Sequence, residues 1–232
     1  MEWSGRKAMA MAVTSTFRVG FIGLGAMGSG MAATLVGKGF KVCGYDVYEP
    51  SMAKMREKGM STATSCAEAA SGAQVLVVMV TNSDQAESAL FGPKGAMDVL
   101  PSRACIVMCS TVAAAYVRGL DHRLRGAGRE WEVVDAPVSG GVVKAANGTL
   151  TIMASGSEEG LRRADSVLRA MSEKLYIIPG GVGAGSNVKM VNQLLAGVHI
   201  VASAEAMALG ARCGLDTRLL YEIISNAAGN SW

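Results

Sequence analysis

The stretch Phe17-Arg18-Val19-Gly20-Phe21-Ile22-Gly23-Leu24-Gly25-Ala26-Met27-Gly28 sets the fold class of this chain. Phe17 to Ile22 is a short apolar run of strand type, and the apolar spacing from Ala26 to Val36 is helical. Three glycines stand where the strand gives way to the helix. Gly23 permits the tight turn, Gly25 lets a phosphate approach the backbone, and Gly28 lets helix and strand pack closely. The first-turn N–H groups and the positive end of the helix dipole then face an anion. A glycine loop in this setting is expected to hold the pyrophosphate of a dinucleotide, and by itself it says no more than that.

Asp46 adds to it. It ends the next strand-like run, Lys41 to Asp46, at about the 20-residue spacing at which a carboxylate meets the adenosine ribose hydroxyls. Its charge repels a 2'-phosphate, and no arginine follows it, since Val47 and Tyr48 come next. NAD is therefore expected in preference to NADP. The plainer alternative for Asp46 is a solvated loop aspartate.

Working outward, apolar runs at Gln74–Val80, Ala104–Cys109, Trp131–Asp135, Thr149–Ser155 and Lys174–Ile178 alternate with helical patterns. That alternation predicts an α/β fold, a Rossmann-type doubly wound sheet that is mostly parallel. Val75 to Val80 is apolar at every position, as a central strand buried on both faces requires. The breaker cluster Pro179 to Gly185 ends this texture. Beyond it Val188, Val191, Leu195, Val198, Ala202 and Leu209 recur at helical spacing, with Ser186 or Asn187 as N-cap and Gly214 as stop. A second helix starts near Asp216. The expected organisation is a leader over residues 1–16, a nucleotide-binding domain over 17–179, and the start of an all-helical second domain over 180–232.

Composition excludes several classes. Half of the 232 residues are apolar, with 29 glycines and 5 prolines, which suits a packed α/β chain and not a disordered one. The net charge of +3 is spread out, and its one loose cluster, Arg118, Arg123, Arg125 and Arg129, reads as a solvated helix face, so no nucleic-acid partner is expected. The five cysteines form no CxxC pair and there are two histidines, so no metal site is expected and a reducing, cytoplasmic setting fits best. Residues 1–16 are too short in apolar stretch for a membrane span, and no membrane partner is expected.

Three segments in order resemble the β-hydroxyacid dehydrogenase family. They are Gly23-Leu24-Gly25-Ala26-Met27-Gly28, then Asp135-Ala136-Pro137-Val138-Ser139-Gly140-Gly141, then Gly185-Ser186-Asn187-Val188-Lys189. Gln193 to His199 and Ala227 to Trp232 are most similar to the L-threonate dehydrogenase branch. The resemblance implies NAD-dependent oxidation of a small hydroxyacid, L-threonate foremost, with Lys189 transferring the hydroxyl proton. It implies that Ser139, Gly140 and Gly141 bind the substrate carboxylate, and that Val80, Thr81 and Thr111 line the ribose side of the cofactor. It also implies a homo-oligomer formed through the helical domain, and further helices with a second substrate-side lysine after Trp232.

The residues themselves permit this chemistry. A Ser-Gly-Gly turn offers backbone N–H groups and a hydroxyl to a carboxylate, although such a turn is also an ordinary loop. Asn192 and Gln193 fall at i+3 and i+4 from Lys189, on its side of the helix. The family places asparagine four residues after the lysine, and Gln193 stands there; either amide could hold a substrate hydroxyl. His199 reads as a packing or hydrogen-bonding residue. Competing readings are a 3-hydroxyisobutyrate, tartronate semialdehyde or glyoxylate-type enzyme, including an NADPH-dependent reductase, and a non-catalytic NAD-binding fragment.

Overall fold

The computed structural model describes residues 17–231; the expected leader, residues 1–16, lies outside the described residues. The elements run β1 (Arg18–Ile22), α1 (Ala26–Gly37), β2 (Lys41–Tyr45), α2 (Glu49–Glu57), β3 (Ser61–Thr62), α3 (Cys66–Ala70) and β4 (Val75–Val78). They continue with α4 (Ser83–Phe91), a 3-10 turn (Ala96–Asp98), β5 (Cys105–Met108), α5 (Ala114–Arg125), β6 (Glu132–Asp135) and β7 (Val138–Ser139). The remainder are α6 (Gly141–Asn147), β8 (Leu150–Gly156), α7 (Glu158–Met171), β9 (Ser172–Ile177), α8 (Ala184–Arg212) and α9 (Thr217–Ser225). The chain divides into two compact units, one ending at Asn187 and the other starting at Val188.

In the first unit the strands form one sheet in the order β3-β2-β1-β4-β5-β6-β8-β7, with β9 paired to β8. All pairings from β3 through β6 are parallel. The order reverses at β1/β4, and ligands of doubly wound sheets sit outside the carboxyl ends of the strands at such a switch point. Helices cover both faces. Met31 and Leu35 of α1, Ala145 of α6 and Leu168 of α7 join the core on one face; Ala70 of α3, Leu90 of α4 and Leu120 of α5 join the other. Between these layers Val75, Leu76, Val77 and Val78 are fully buried, each contributing about 1.5–3 kcal/mol by leaving water.

The sheet departs from the expected pattern at its edges. β8 runs antiparallel to β6 and β7, and two-residue strands at Ser61–Thr62 and Val138–Ser139 join it. Two residues hold no readable periodicity; tertiary pairing makes them strands.

In the second unit α8 continues unbroken to Arg212, and Gly214 (φ +77°) stops it as expected. Asp216 caps α9 by accepting the N–H groups of Arg218 (2.8 Å) and Leu219 (3.1 Å). A Cβ on Gly210 would lie 2.2 Å from Leu220 Cδ2, so the two helices meet at a glycine. By length and apolar composition α8 could cross a membrane. The positions whose spacing predicted this helix are exposed, Leu195 and Val198 at 54% each. α8 is apolar nearly all round, so its period marks a helix without marking which side turns inward.

Candidate active site

A cleft of about 640 Å³ opens at the carboxyl ends of β1, β2 and β4, lined by Gly23, Gly25, Asp46, Val80 and Thr81 among others. Its floor is the glycine loop. A Cβ on Gly23 (φ +94°) would fall 2.1 Å from the Met79 carbonyl oxygen, and one on Gly28 would fall 1.9 Å from the Gly23 oxygen. Above Gly25, by contrast, a Cβ would meet nothing within 4 Å. Gly25 is the N-cap of α1 and supplies no side-chain cap, and the first turn of α1 holds no acidic residue. Its free N–H groups are therefore available to an anion.

Asp46 is fixed by two backbone donors, Leu24 N–H to Oδ2 at 2.6 Å and Tyr48 N–H to Oδ1 at 2.8 Å. The loop and the carboxylate thus hold one another in place at the wall of the cleft. Two further helices begin at the same rim. Asn82 accepts the Gln85 N–H (2.9 Å) and Ser65 the Glu68 N–H (3.1 Å). A pyrophosphate suits the open space over Gly25, and a ribose diol suits Asp46.

The Ser139-Gly140-Gly141 turn links β7 to α6, with Gly140 at φ +134° and Gly141 at φ +71°. Both values lie in the region that favours glycine. Lys189 lies in α8 and is 6% exposed in a helix that is otherwise largely exposed. Burial holds its pKa below the ordinary lysine value, and no ion pair involves it among the described residues. Asn192 is half-buried and Gln193 exposed. Along α8 the less exposed positions 186, 189, 192, 196 and 199 make one stripe, carrying a serine, the lysine, an asparagine, an alanine and His199.

Comparison with known proteins bears directly on this arrangement. Residues 18–180 match the model of the NAD binding domain of 6-phosphogluconate dehydrogenase. Residues 183–232 match the model described as NAD-binding of NADP-dependent 3-hydroxyisobutyrate dehydrogenase. The L-threonate dehydrogenase of Escherichia coli is 44% identical over 96% of this chain and 73% of its own length. That of Cupriavidus necator is 42% identical over 92% and 71%. A solved 3-hydroxyisobutyrate dehydrogenase from Salmonella typhimurium superposes with a TM-score of 0.88 at 40% identity, over 93% of this chain and 75% of that one. The chain belongs to the β-hydroxyacid dehydrogenase family.

This β-hydroxyacid dehydrogenase is an NAD-dependent oxidoreductase acting on a small hydroxyacid. Of the residues expected at its cofactor site, Gly23, Gly25, Asp46, Val80 and Thr81 are together in the cleft. Leu24 is buried beneath the loop, with its N–H committed to Asp46. Gly28 seats α1, while Ala26 and Met27 open that helix. Thr111 is exposed after β5 and stands outside the lining; its neighbour Ser110 is buried and accepts the Val80 N–H at 2.8 Å.

The dehydrogenase's cleft also takes in Thr64, Ser65, Cys66, Gln85 and Lys94, which the sequence reading passed over. A signal existed for some of them. Ser65-Cys66-Ala67-Glu68 has the spacing of a capping box, and helices that begin at the carboxyl edge of a parallel sheet face its ligand. The expected N-cap at Ser186 or Asn187 is corrected: α8 starts at Ala184, and Ser186 lies inside the first turn with its hydroxyl donated to Asp135.

Proposed function

We propose that this dehydrogenase oxidises L-threonate at the hydroxyl beside its carboxylate, using NAD and with Lys189 as general acid and base. The burial of Lys189 carries the reading. A lysine serves as a base near neutral pH only when desolvation or a like charge lowers its pKa, and burial is the cause here. Lys189 takes the hydroxyl proton during oxidation and returns it in reduction. NAD, when bound, accepts the hydride from the same carbon. The Ser139 hydroxyl and the N–H groups of Gly140 and Gly141 bind the carboxylate, and Asn192 holds a further hydroxyl. Gln193, exposed, has the weaker claim. An amide one place earlier than the family pattern suits a polyhydroxy acid, and the 44% and 42% identical relatives carry the L-threonate name.

NAD is preferred over NADP because Asp46 presents acceptors where a 2'-phosphate would need donors. We further assign residues 17–179 to the cofactor domain and 180–232 to a helical domain through which copies associate in the cytoplasm. The polar residues of the α8 stripe favour protein over lipid as its covering.

NADH formation is measured with L-threonate, and with 3-hydroxyisobutyrate and glycerate, the reduced partner of tartronate semialdehyde, as alternatives. L-Threonate is expected to give the highest kcat/KM, and a higher value for another acid overturns the substrate assignment. Lys189→Met should lose turnover while still binding NAD; full turnover removes Lys189 from the mechanism. Oxidation needs the neutral amine, so its rate should rise with pH through a midpoint below 10.5, the ordinary lysine value, and reduction should fall over the same range. Asp46→Ala should raise the affinity for NADP relative to NAD; an unchanged ratio refutes the role of Asp46.

A further inference from the structure

One buried carboxylate has no part in the reaction above. Asp135, at the end of β6, is fully buried. Its Oδ2 accepts the Ser186 N–H and its Oδ1 the Ser186 hydroxyl, both at 2.7 Å. Ser155 on β8 donates to Oδ2 at 3.5 Å, and the same hydroxyl accepts the Gly185 N–H at 2.9 Å. Gly185 seats the turn, since a Cβ there would lie 2.3 Å from the Met153 oxygen and 2.9 Å from the Asp135 oxygen. Ser65, Asn82, Ser157 and Asp216 each cap the helix that follows them directly. α8 instead takes its cap from a carboxylate 51 residues earlier in the chain.

A negative charge at a helix start is favourable in itself, but a surface aspartate would serve that purpose without being buried. Burying a carboxylate costs several kcal/mol unless donors surround it, and here donors from β8 and from the start of α8 do so. The Ser186 N–H and hydroxyl on Asp135, and the Gly185 N–H on Ser155, tie the first turn of α8 to β6 and β8. Lys189 follows Ser186 by three residues on the same unbroken helix, one turn along and on the same side.

We propose that Asp135 is a positioning residue for Lys189: by clasping the first turn of α8 it fixes where the lysine amine stands and keeps it from water. This rests on the reading of Lys189 as the proton-transfer residue. The action is geometric. The cause that lowers the Lys189 pKa is burial, with no charge partner. The ionisable neighbour of Asp135 is the Cys109 thiol following β5, which burial and then Asp135 push up to about 12, so it stays neutral. Ser155 from β8 and Ser186 from α8 do not titrate.

The test uses Asp135→Leu, Asp135→Asn and Ser186→Ala in the full chain, with Lys189→Met alongside. Thermal unfolding and NAD binding establish that each variant folds. Competitive acetylation with acetic anhydride across pH, read by peptide mass spectrometry, then reports the ionisation midpoint of Lys189 without requiring turnover. In the parent protein that midpoint should lie below those of exposed lysines. Asp135→Leu should move it up toward them and lower kcat with L-threonate about ten-fold or more, since small displacements of a reacting group cost that much, with KM for NAD retained. Asp135→Asn keeps an acceptor for the Ser186 N–H and should restore much of both. A folded Asp135→Leu with unchanged midpoint and kcat overturns the proposal. If Asp135→Leu does not fold, Ser186→Ala decides: a smaller shift in the same direction supports the clasp, and none overturns it. Turnover by Lys189→Met would instead sink the role of the lysine, whatever the acetylation midpoints show.

Discussion

Gly25 and Gly28 belong to one loop and should fail in opposite ways when each is changed to alanine. At Gly28 the added methyl would lie 1.9 Å from the Gly23 carbonyl oxygen, against an ordinary contact of roughly 3.5 Å. α1 must therefore withdraw from the loop by about 1.5 Å, and because the obstacle is backbone, no side chain can turn aside. Overpacking of this kind costs about 1–3 kcal/mol. At Gly25 the same methyl meets nothing within 4 Å, and the backbone there (φ −66°, ψ −163°) is open to any residue. Losing a good N-cap costs a few tenths of a kcal/mol or more, and stiffening the unfolded chain returns about 0.4–1, so the net should be close to zero. That methyl does, however, occupy the space over the α1 N–H groups. Forfeiting one charge-assisted hydrogen bond costs about 1.5–3 kcal/mol, or roughly ten- to a hundred-fold in Kd. Urea denaturation and calorimetric titration with NAD separate the two effects. Gly28→Ala should lower the unfolding midpoint; Gly25→Ala should keep it and lose NAD affinity. A Gly25→Ala protein that binds NAD like its parent refutes the placement of the pyrophosphate, and a Gly28→Ala protein of parental stability refutes the packing argument.

The cysteines should divide by burial. Burial pushes the Cys66 thiol up to about 11 and that of Cys109 to about 12, and raises Cys105 further still, whereas Cys213 is exposed. Iodoacetamide at neutral pH should label Cys213 first, and early labelling of Cys105 would show that the sheet opens locally. On α7, hydrogen bonds from Arg162 and Arg163 hold Glu159 well below the usual carboxylate range, at about 2. A carboxylate with a lowered folded pKa adds stability above its unfolded value of about 4.5 and loses it as pH falls through about 2. The stability difference between parent and Glu159→Gln should therefore vanish over that window. Arg162 is solvent-facing and Arg163 largely buried, so the Arg162 share should also shrink in high salt; a difference undiminished at pH 2 contradicts the pairing.

Much of the first unit was legible because its determinants are local. Val75 to Val78 are apolar at every position, and only a strand covered on both faces tolerates that. The spacing of Gly23, Gly25, Gly28 and Asp46 follows from steric and charge demands within 30 residues of chain. The Ser139-Gly140-Gly141 turn and Lys189 were recognisable for a different reason, as segments similar to a family's.

Other features depended on what lay across the fold. β3 and β7 are strands because a neighbour pairs with them. The period of Val188, Val191, Leu195 and Val198 marked a helix but pointed to no buried face, because α8 is apolar nearly all round. Asp135 read only as part of a substrate segment, and Ser186 as a cap for its own helix. Tertiary structure brought the two together across 51 residues, so that the carboxylate caps the helix and the serine donates to it. The amino-acid sequence by itself determined the cofactor loop and the central strands, since each rests on neighbours in the chain, and it offered Lys189 through a segment that resembles a family's. The withdrawal of Lys189 from water, and with it a pKa below the ordinary lysine value, was decided only in three dimensions, because desolvation is set by what surrounds a side chain and leaves no trace in local spacing.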